Sequence, residues 1–283
     1  MKTIHDPDDM QACAMELRQA GKRLVLVPTM GFLHEGHLSL MRLARERGDV
    51  VITSIFVNPT QFGPNEDLAA YPRDFEGDER LCMREGVDLI FYPSPETMYL
   101  PGASVYVDEA PLSKGLCGLN RPTHFRGVLT VVAKLFNICQ PHVAIFGEKD
   151  AQQLRLLRRL ARDLNFPVDV ASGPTVREPD GLAMSSRNKY LTETERVEAL
   201  SLRCSLDLAE KLYAEGERDA GTILLAMRRL IERSSTGEID YLNAVDDETL
   251  EDVARIEDPV LIALAVKFGK ARLLDNTVLA SQS

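Results

Sequence analysis

Two histidines three residues apart, His34 and His37, are the pair whose types and spacing most directly suggest chemistry. They close the decapeptide Pro28-Thr29-Met30-Gly31-Phe32-Leu33-His34-Glu35-Gly36-His37. An apolar run, residues 24–27, precedes it, and a helical pattern of Leu38, Leu40, Met41 and Ala44 follows. Residues three apart share a face of a helical turn. The pair therefore presents two N–H donors, or two positive charges, to one anion. Gly31 and Gly36 let backbone approach a ligand with no Cβ in the way. A helix starting near Gly36 also aims free N–H groups and the positive end of its dipole at that place, which suits a phosphate. A surface pair and a pair of zinc ligands are the competing readings. Zinc requires further ligands, and no Cys or His cluster lies nearby in the sequence. The strand–glycine–helix setting favours a nucleotide.

Other polar residues also follow strand-like runs. Residues 50–57 are apolar and β-branched and end at Asn58-Pro59, with Gln61 just beyond. Asn58 fits ordinary turn chemistry. Gln61 does not, which makes it the sharper site candidate. Lys149 follows the apolar run 143–146 in Gly147-Glu148-Lys149-Asp150, and Gln153 stands one turn into the helix after it. Arg121 and His124 mark a loop-to-helix junction, a second candidate anion site, whereas Arg126 also reads as a solvated side chain. Met184-Ser185-Ser186-Arg187 sets two hydroxyls and a guanidinium in a polar loop. That set suits a triphosphate, and an exposed linker is the alternative.

The elements that must position these groups alternate. Helical patterns at 7–20, 37–48, 75–85, 128–139 and 151–164 are interleaved with strand-like runs at 24–27, 50–57, 87–92, 143–146 and 168–171, and 105–107 reads as a short further strand. Such alternation predicts an α/β fold, a Rossmann-like doubly wound parallel sheet. Ligands bind such sheets outside the strand C-termini. From about residue 176 the pattern changes. Thr192 with Glu195 forms a capping box for a long helix to about 214, and a second helix spans 220–233. Strand-like runs at 239–245 and 260–266 flank a helical turn at 249–253. The expected organisation is a Rossmann-like domain, 1–175, and a smaller C-terminal α+β domain, 176–283.

Composition narrows the partners. The chain has 283 residues, 45% of them hydrophobic and 27% charged, which fits a globular protein. Its net charge of −10 argues against general nucleic-acid binding, which depends on neutralising phosphates. Five widely spaced cysteines with no Cys-x-x-Cys suit reduced thiols and a cytoplasmic location. The N-terminal residues lack the apolar stretch of a signal peptide. No apolar run reaches membrane-spanning length, so no membrane partner is expected.

Several short motifs occur in a fixed order: Pro28-Thr29-Met30-Gly31, His34-x-Gly36-His37, Ser54-Ile55-Phe56-Val57-Asn58-Pro59, Gln61-Phe62, Tyr71-Pro72-Arg73, His124-Phe125-Arg126-Gly127, Phe146-Gly147-Glu148-Lys149-Asp150, Ser185-Ser186-Arg187-Asn188 and Arg272-Leu273-Leu274-Asp275-Asn276. The ordered set resembles the pantothenate synthetase (pantoate–β-alanine ligase) family of the His-x-Gly-His nucleotidyltransferases. The resemblance implies ATP-dependent joining of pantoate to β-alanine through a pantoyl adenylate, with Mg²⁺ and a homodimer. It implies His34, His37, Lys149 and Arg187 as catalytic residues. Met30, Gly31, Phe32, Leu33, His34, Glu35, Gly36, His37, Gly147, Glu148, Lys149, Asp150, Val176, Met184, Ser185, Ser186 and Arg187 would contact ATP. Gln61, Gln153, Asn58, Arg121 and His124 would contact pantoate or β-alanine. No protein side chain is assigned as a metal ligand, with Asp78 a possible secondary contact. Two positions depart from the family pattern: His142 stands where Asp is common, and Thr123 where Gly is common. The rival readings are another adenylyltransferase of the same superfamily, acting on a phosphate, and a nucleotide-binding regulatory protein on the same fold.

Overall fold

The computed structural model describes residues 1–64, 66, 68–257 and 259–280. In chain order its elements are β1 (Lys2–Ile4), α1 (Pro7–Gln19), β2 (Leu24–Thr29), α2 (Glu35–Arg47), β3 (Val50–Ile55), a 3-10 turn (Pro59–Gln61), α3 (Phe75–Arg84), β4 (Leu89–Phe91), α4 (Pro95–Met98), α5 (Cys117–Asn120), α6 (His124–Cys139), β5 (Val143–Gly147), α7 (Ala151–Asp163) and β6 (Asp169–Gly173). A 3-10 turn (Ser186–Tyr190), α8 (Glu193–Ala199), α9 (Ser201–Ala214), α10 (Ala220–Ile231), β7 (Gly237–Asp246), β8 (Val260–Phe268) and β9 (Ala271–Leu279) complete it. The chain packs as two compact units. The first comprises Met1–Glu109, Arg121–Glu148 and Gln153–Pro174; the second comprises Ala110–Asn120, Lys149–Gln152 and Thr175–Ser283.

The larger unit is built on a six-stranded sheet ordered β1-β4-β3-β2-β5-β6, parallel throughout. All six residues of β3 are buried, as expected of a run of Val, Ile and Thr covered on both faces. Val25, Val27, Val51, Ile55 and Ile145 from the strands join Leu38, Met41 and Ala44 of α2 in one cluster. Each such large apolar side chain contributes about 1.5–3 kcal/mol on full burial. α1 starts where Asp6 accepts the N–H groups of Asp8 and Asp9, with Pro7 in its first turn.

The smaller unit contains the antiparallel sheet β7-β8-β9. Leu206, Ile223, Met227, Ile262, Leu264 and Phe268 form its core together with the buried faces of α9 and α10. The Thr192–Glu195 capping box is present, but the helix it starts ends at Ala199, and a second helix begins at Ser201.

Three expectations need correction. Residues 105–107 are not a strand. Val105 is exposed, and the Val107 N–H is satisfied by the Thr130 hydroxyl at 2.9 Å rather than by a sheet neighbour. Residues 249–253 are not a helical turn: a turn at 247–249, capped by the Asp246 carboxylate accepting the Thr249 N–H, is followed by irregular chain in which Asp252 bridges Val245. β9 and β1 were not anticipated as strands. β9 interrupts its apolar alternation with Arg272, Asp275 and Asn276, and β1 is only three residues long.

Candidate active site

β2 lies at the centre of the parallel sheet. From it the chain runs outward through β3 and β4 on one side, then resumes at β5 on the other. The loop after β2 therefore sits at the topological switch point, where open parallel sheets leave a crevice. His34 caps α2 in an extended conformation, and its Nδ1 accepts the Gly36 N–H at 3.2 Å. The Nδ1 of His37 accepts the His34 N–H, also at 3.2 Å, and the two ring centroids are 4.1 Å apart. An imidazole nitrogen that accepts carries no proton, so each ring's hydrogen belongs on Nε2. The capped arrangement thus offers a pair of neutral N–H donors rather than two cations. Glu35 pairs with Arg42, further along the same helix.

The loop leading to this cap is held by a residue with an unexpected role. Gly31 and Phe32 adopt φ of 80° and 51°, a left-handed stretch. The Asp78 carboxylate accepts the Phe32 N–H at 2.8 Å and the Leu33 N–H at 2.7 Å. A Cβ on Gly31 would lie 2.8 Å from Asp78 Oδ2 and 3.0 Å from Ile55 Cγ2, so the close approach also requires glycine. Burial raises the Asp78 pKa, partly opposed by the N–H groups of Leu33 and Phe32. With both oxygens accepting backbone hydrogens, Asp78 is a buttress of the loop. A signal was available in the sequence. Asp78 stands three residues after Phe75 and four before Cys82, on the helical stripe that packs inward.

The turn after β3 carries Gln61. Asn58 caps it, its Oδ1 accepting from the Thr60 N–H, the Thr60 hydroxyl and the Tyr99 hydroxyl. Its Nδ2 donates to Gln61 Oε1 at 3.2 Å and to the Gly127 carbonyl at 3.1 Å. Asn58 is 1% exposed, so its amide is engaged in holding Gln61. Gln61 Nε2 points at Met30 Sδ, 2.8 Å away, which joins this turn to the β2 loop. The Gln61 carbonyl lies 2.9 Å from His124 Nδ1, and Arg121 grips Glu66 through Nε and a terminal nitrogen at 2.8 and 2.5 Å. In this unit Met30, Asn58, Gln61, Arg121 and His124 are thus linked into one constellation. Arg126 is not part of it, and lies over the Tyr106 ring at 4.4 Å. Thr123 sits at φ −100°, which any L residue adopts, so glycine is not required there. His142 Nδ1 accepts the Leu24 N–H at 3.0 Å, a role at the N-terminal ends of β2 and β5.

At the end of β5, a Cβ on Gly147 would meet nothing within 4 Å, so no packing contact explains the glycine. The Glu148 carboxylate accepts from the Ser172 hydroxyl at 2.8 Å. Gln153 lies half-buried in the first turn of α7, whereas its neighbour Gln152 is buried and clamps Cys117 N–H and the carbonyls of Leu112 and Gly115.

In the smaller unit Lys149 Nζ donates to the Met184 carbonyl at 2.8 Å. Burial lowers its pKa; Asp150 and Asp275 work against that shift, and Arg187 adds to it. Met184 N–H donates to the Val176 carbonyl at 2.9 Å, so these two expected nucleotide contacts are neighbours across a hairpin. Ser185 caps the following turn by accepting the Arg187 N–H, and Ser185, Ser186 and Arg187 are all half-buried. Lys149, Val176 and Met184–Arg187 thus form a second cluster, with Asp150 exposed beside Lys149.

A family model described as pantoate–β-alanine ligase matches residues 2–278. The pantothenate synthetase of Thermotoga petrophila is 58% identical over 279 residues, 99% of this chain and 100% of the relative. The crystal structure of pantothenate synthetase from Thermus thermophilus superposes with a TM-score of 0.92 at 42% identity, covering 98% of this chain and 99% of that one. A pantoate–β-alanine ligase from Francisella tularensis, solved in complex with β,γ ATP and β-alanine, matches with a TM-score of 0.81 at 34% identity, covering 98% of this chain and 97% of that one. With one ordered set of motifs and one fold running through its whole length, this chain belongs to the pantoate–β-alanine ligase family.

Proposed function

We propose that the protein condenses (R)-pantoate with β-alanine using ATP, through a pantoyl adenylate, releasing pyrophosphate and then AMP. The observation that carries the reading is the capped histidine pair at the switch point, with Gln61 held beside it through Met30. A carboxylate is a poor electrophile. Attack of the pantoate carboxylate on the α-phosphorus expels pyrophosphate and leaves the acyl group joined to AMP. The β-alanine amine then attacks the acyl carbon, and AMP leaves.

Two anions must meet in the first step, so donors are needed where charge develops. We assign that task to the Nε2–H groups of His34 and His37, as hydrogen-bond donors, and to the Lys149 ammonium. Ser185, Ser186 and Arg187 would hold the β,γ end, and Met30, Val176 and the backbone of 147–150 the nucleotide. Gln61 and Gln153 would grip pantoate. Neutral amides suit this task because a fixed cation would pair with the nucleophile and quench it. Arg121, its charge already paired with Glu66, and His124 would bound the same subsite, and Asn58 would act through Gln61. Mg²⁺ would enter with ATP. The described residues contain no group of three His, Cys, Asp or Glu side chains suited to a metal, so phosphate oxygens and water are its expected ligands. The lid role of 176–283 belongs to the same reading, because the adenylate must be kept from water. So do the homodimer and the cytoplasmic location. Among the described residues no helix is long and apolar enough to cross a membrane.

An AMP-release assay with ATP and pantoate, with and without β-alanine, tests the reaction. Steady AMP release should require both acids. Transfer of AMP to a phosphate acceptor, or ATP binding without turnover, would favour one of the rival readings. Replacing His37 or Lys149 by Ala should slow single-turnover adenylation by about 10²–10³, as for loss of one preorganised donor. Near-normal adenylate formation in either variant would remove that residue from the mechanism.

A further inference from the structure

The motif Arg272-Leu273-Leu274-Asp275-Asn276 has no part in the reaction as derived above. It forms the first half of β9, in the smaller unit. Successive side chains of a strand point to opposite faces, and Asp275 and Asn276 use that alternation to hold two different segments. Asn276 Nδ2 donates to the backbone carbonyl of Lys149 at 3.0 Å. Asp275, 2% exposed, accepts both terminal nitrogens of Arg177, at 2.7 and 3.0 Å. One of its oxygens also accepts the Asn276 N–H at 2.9 Å, which ties the two residues together. Arg177 stands at the base of the hairpin whose other arm is Ala183 and Met184. The ammonium of Lys149 closes the circuit by donating to the Met184 carbonyl at 2.8 Å.

A lysine is a point charge on a flexible four-carbon stem. Its backbone must be anchored if its charge is to sit in one place. Here the backbone of Lys149 and the hairpin leading to Ser185 are fastened to adjacent residues of one hydrogen-bonded strand, so their separation is set by the strand. We propose that Asn276, with the Asp275–Arg177 pair, is a positioning residue for adenylation: it fixes the Lys149 ammonium relative to the segment carrying Ser185 and Arg187. The proposal rests on the reading of Lys149 as a phosphate-handling residue. Asn276 itself touches no reacting atom.

The test is a double-mutant cycle on the full chain. Single-turnover adenylation is measured for the wild type, Asn276→Ala, Lys149→Ala and the double variant, with KM for pantoate and thermal midpoint recorded for each. Asn276→Ala should slow adenylation by about 10–10²-fold, the effect of misplacing a catalytic group by about 1 Å. KM for pantoate should not change. In the Lys149→Ala background the Asn276 substitution should cost nothing further, because residues acting through one group are not additive. The isosteric Asn276→Asp, which removes the donor without creating space, should behave alike and serves if the alanine variant does not fold. A wild-type rate in Asn276→Ala overturns the proposal. So does an equal fractional loss with and without Lys149, or a loss that appears equally in KM for pantoate and tracks the thermal midpoint. A normal rate in Lys149→Ala overturns the reading of Lys149 instead.

Discussion

Asp78 and Lys149 show at residue scale how burial is used twice, with opposite charge and different purpose. Asp78 keeps a carboxylate inside the larger unit, where it holds the N–H groups of Phe32 and Leu33. Hydrogen bonds to a charged group contribute about 1.5–3 kcal/mol each. Asp78→Asn is the nearest isostere, yet one end of an amide donates and cannot replace an accepting oxygen. We expect a lower thermal midpoint and a raised KM for ATP with little change in KM for pantoate, measured by thermal unfolding and steady-state kinetics. Lys149 must be protonated to neutralise phosphate, and burial lowers its pKa below the ordinary lysine value of 10.5. The cation is lost as pH rises through the lowered value. The profile of kcat/KM for ATP, which reports the free enzyme, should fall on its alkaline side before pH reaches the ordinary lysine value. In Lys149→Arg, whose guanidinium stays charged, that fall should disappear; its persistence would assign the limb to another group.

Between elements, the decisive contact is α6 against the turn after β3. A Cβ on Gly127 would lie 2.3 Å from the Thr60 carbonyl oxygen and 2.6 Å from Gln61 Cα. The helix can approach this closely only because residue 127 has no side chain, and the approach lets its carbonyl receive Asn58 Nδ2. Backbone cannot swing aside as a flexible side chain can. Gly127→Ala must therefore displace the turn and Gln61 with it. We expect kcat/KM for pantoate to fall by about 10²-fold, with KM for ATP unchanged, because the α2 cap is held separately by Asp78. Equal losses for both substrates would show that the two loops do not move independently. The periodic elements needed no such contact to be read. α1, α2, α3, α7, β2, β3 and β5 carry their own apolar repeat and end signals. β9 was missed because its polar residues face segments distant in the chain, which no local pattern encodes.

Over the whole molecule, the alternation of β and α units implied a parallel sheet before any contact was seen, and ordered motifs implied the family and the reaction. These are local or linear properties: burial periodicity, caps, glycine placement and motif order. Other features depend on residues brought from far along the chain. Asp78 reaches Leu33 across 45 positions, Asn58 reaches Gly127 across 69, and Asn276 reaches Lys149 across 127. Each partner is an ordinary polar or small residue in its own segment. The sequence alone determined which groups could do the chemistry, because residue type and local setting define a donor, an amide or an ammonium. Only the tertiary structure decided the state and placement of those groups: neutral N–H donors for the histidine pair, a buttress for Asp78, a bracing amide for Asn58 and a strand-mounted anchor for Lys149. The reason is that a hydrogen bond depends on distance and direction in space, and folding sets these between residues whose separation along the chain carries no record of them.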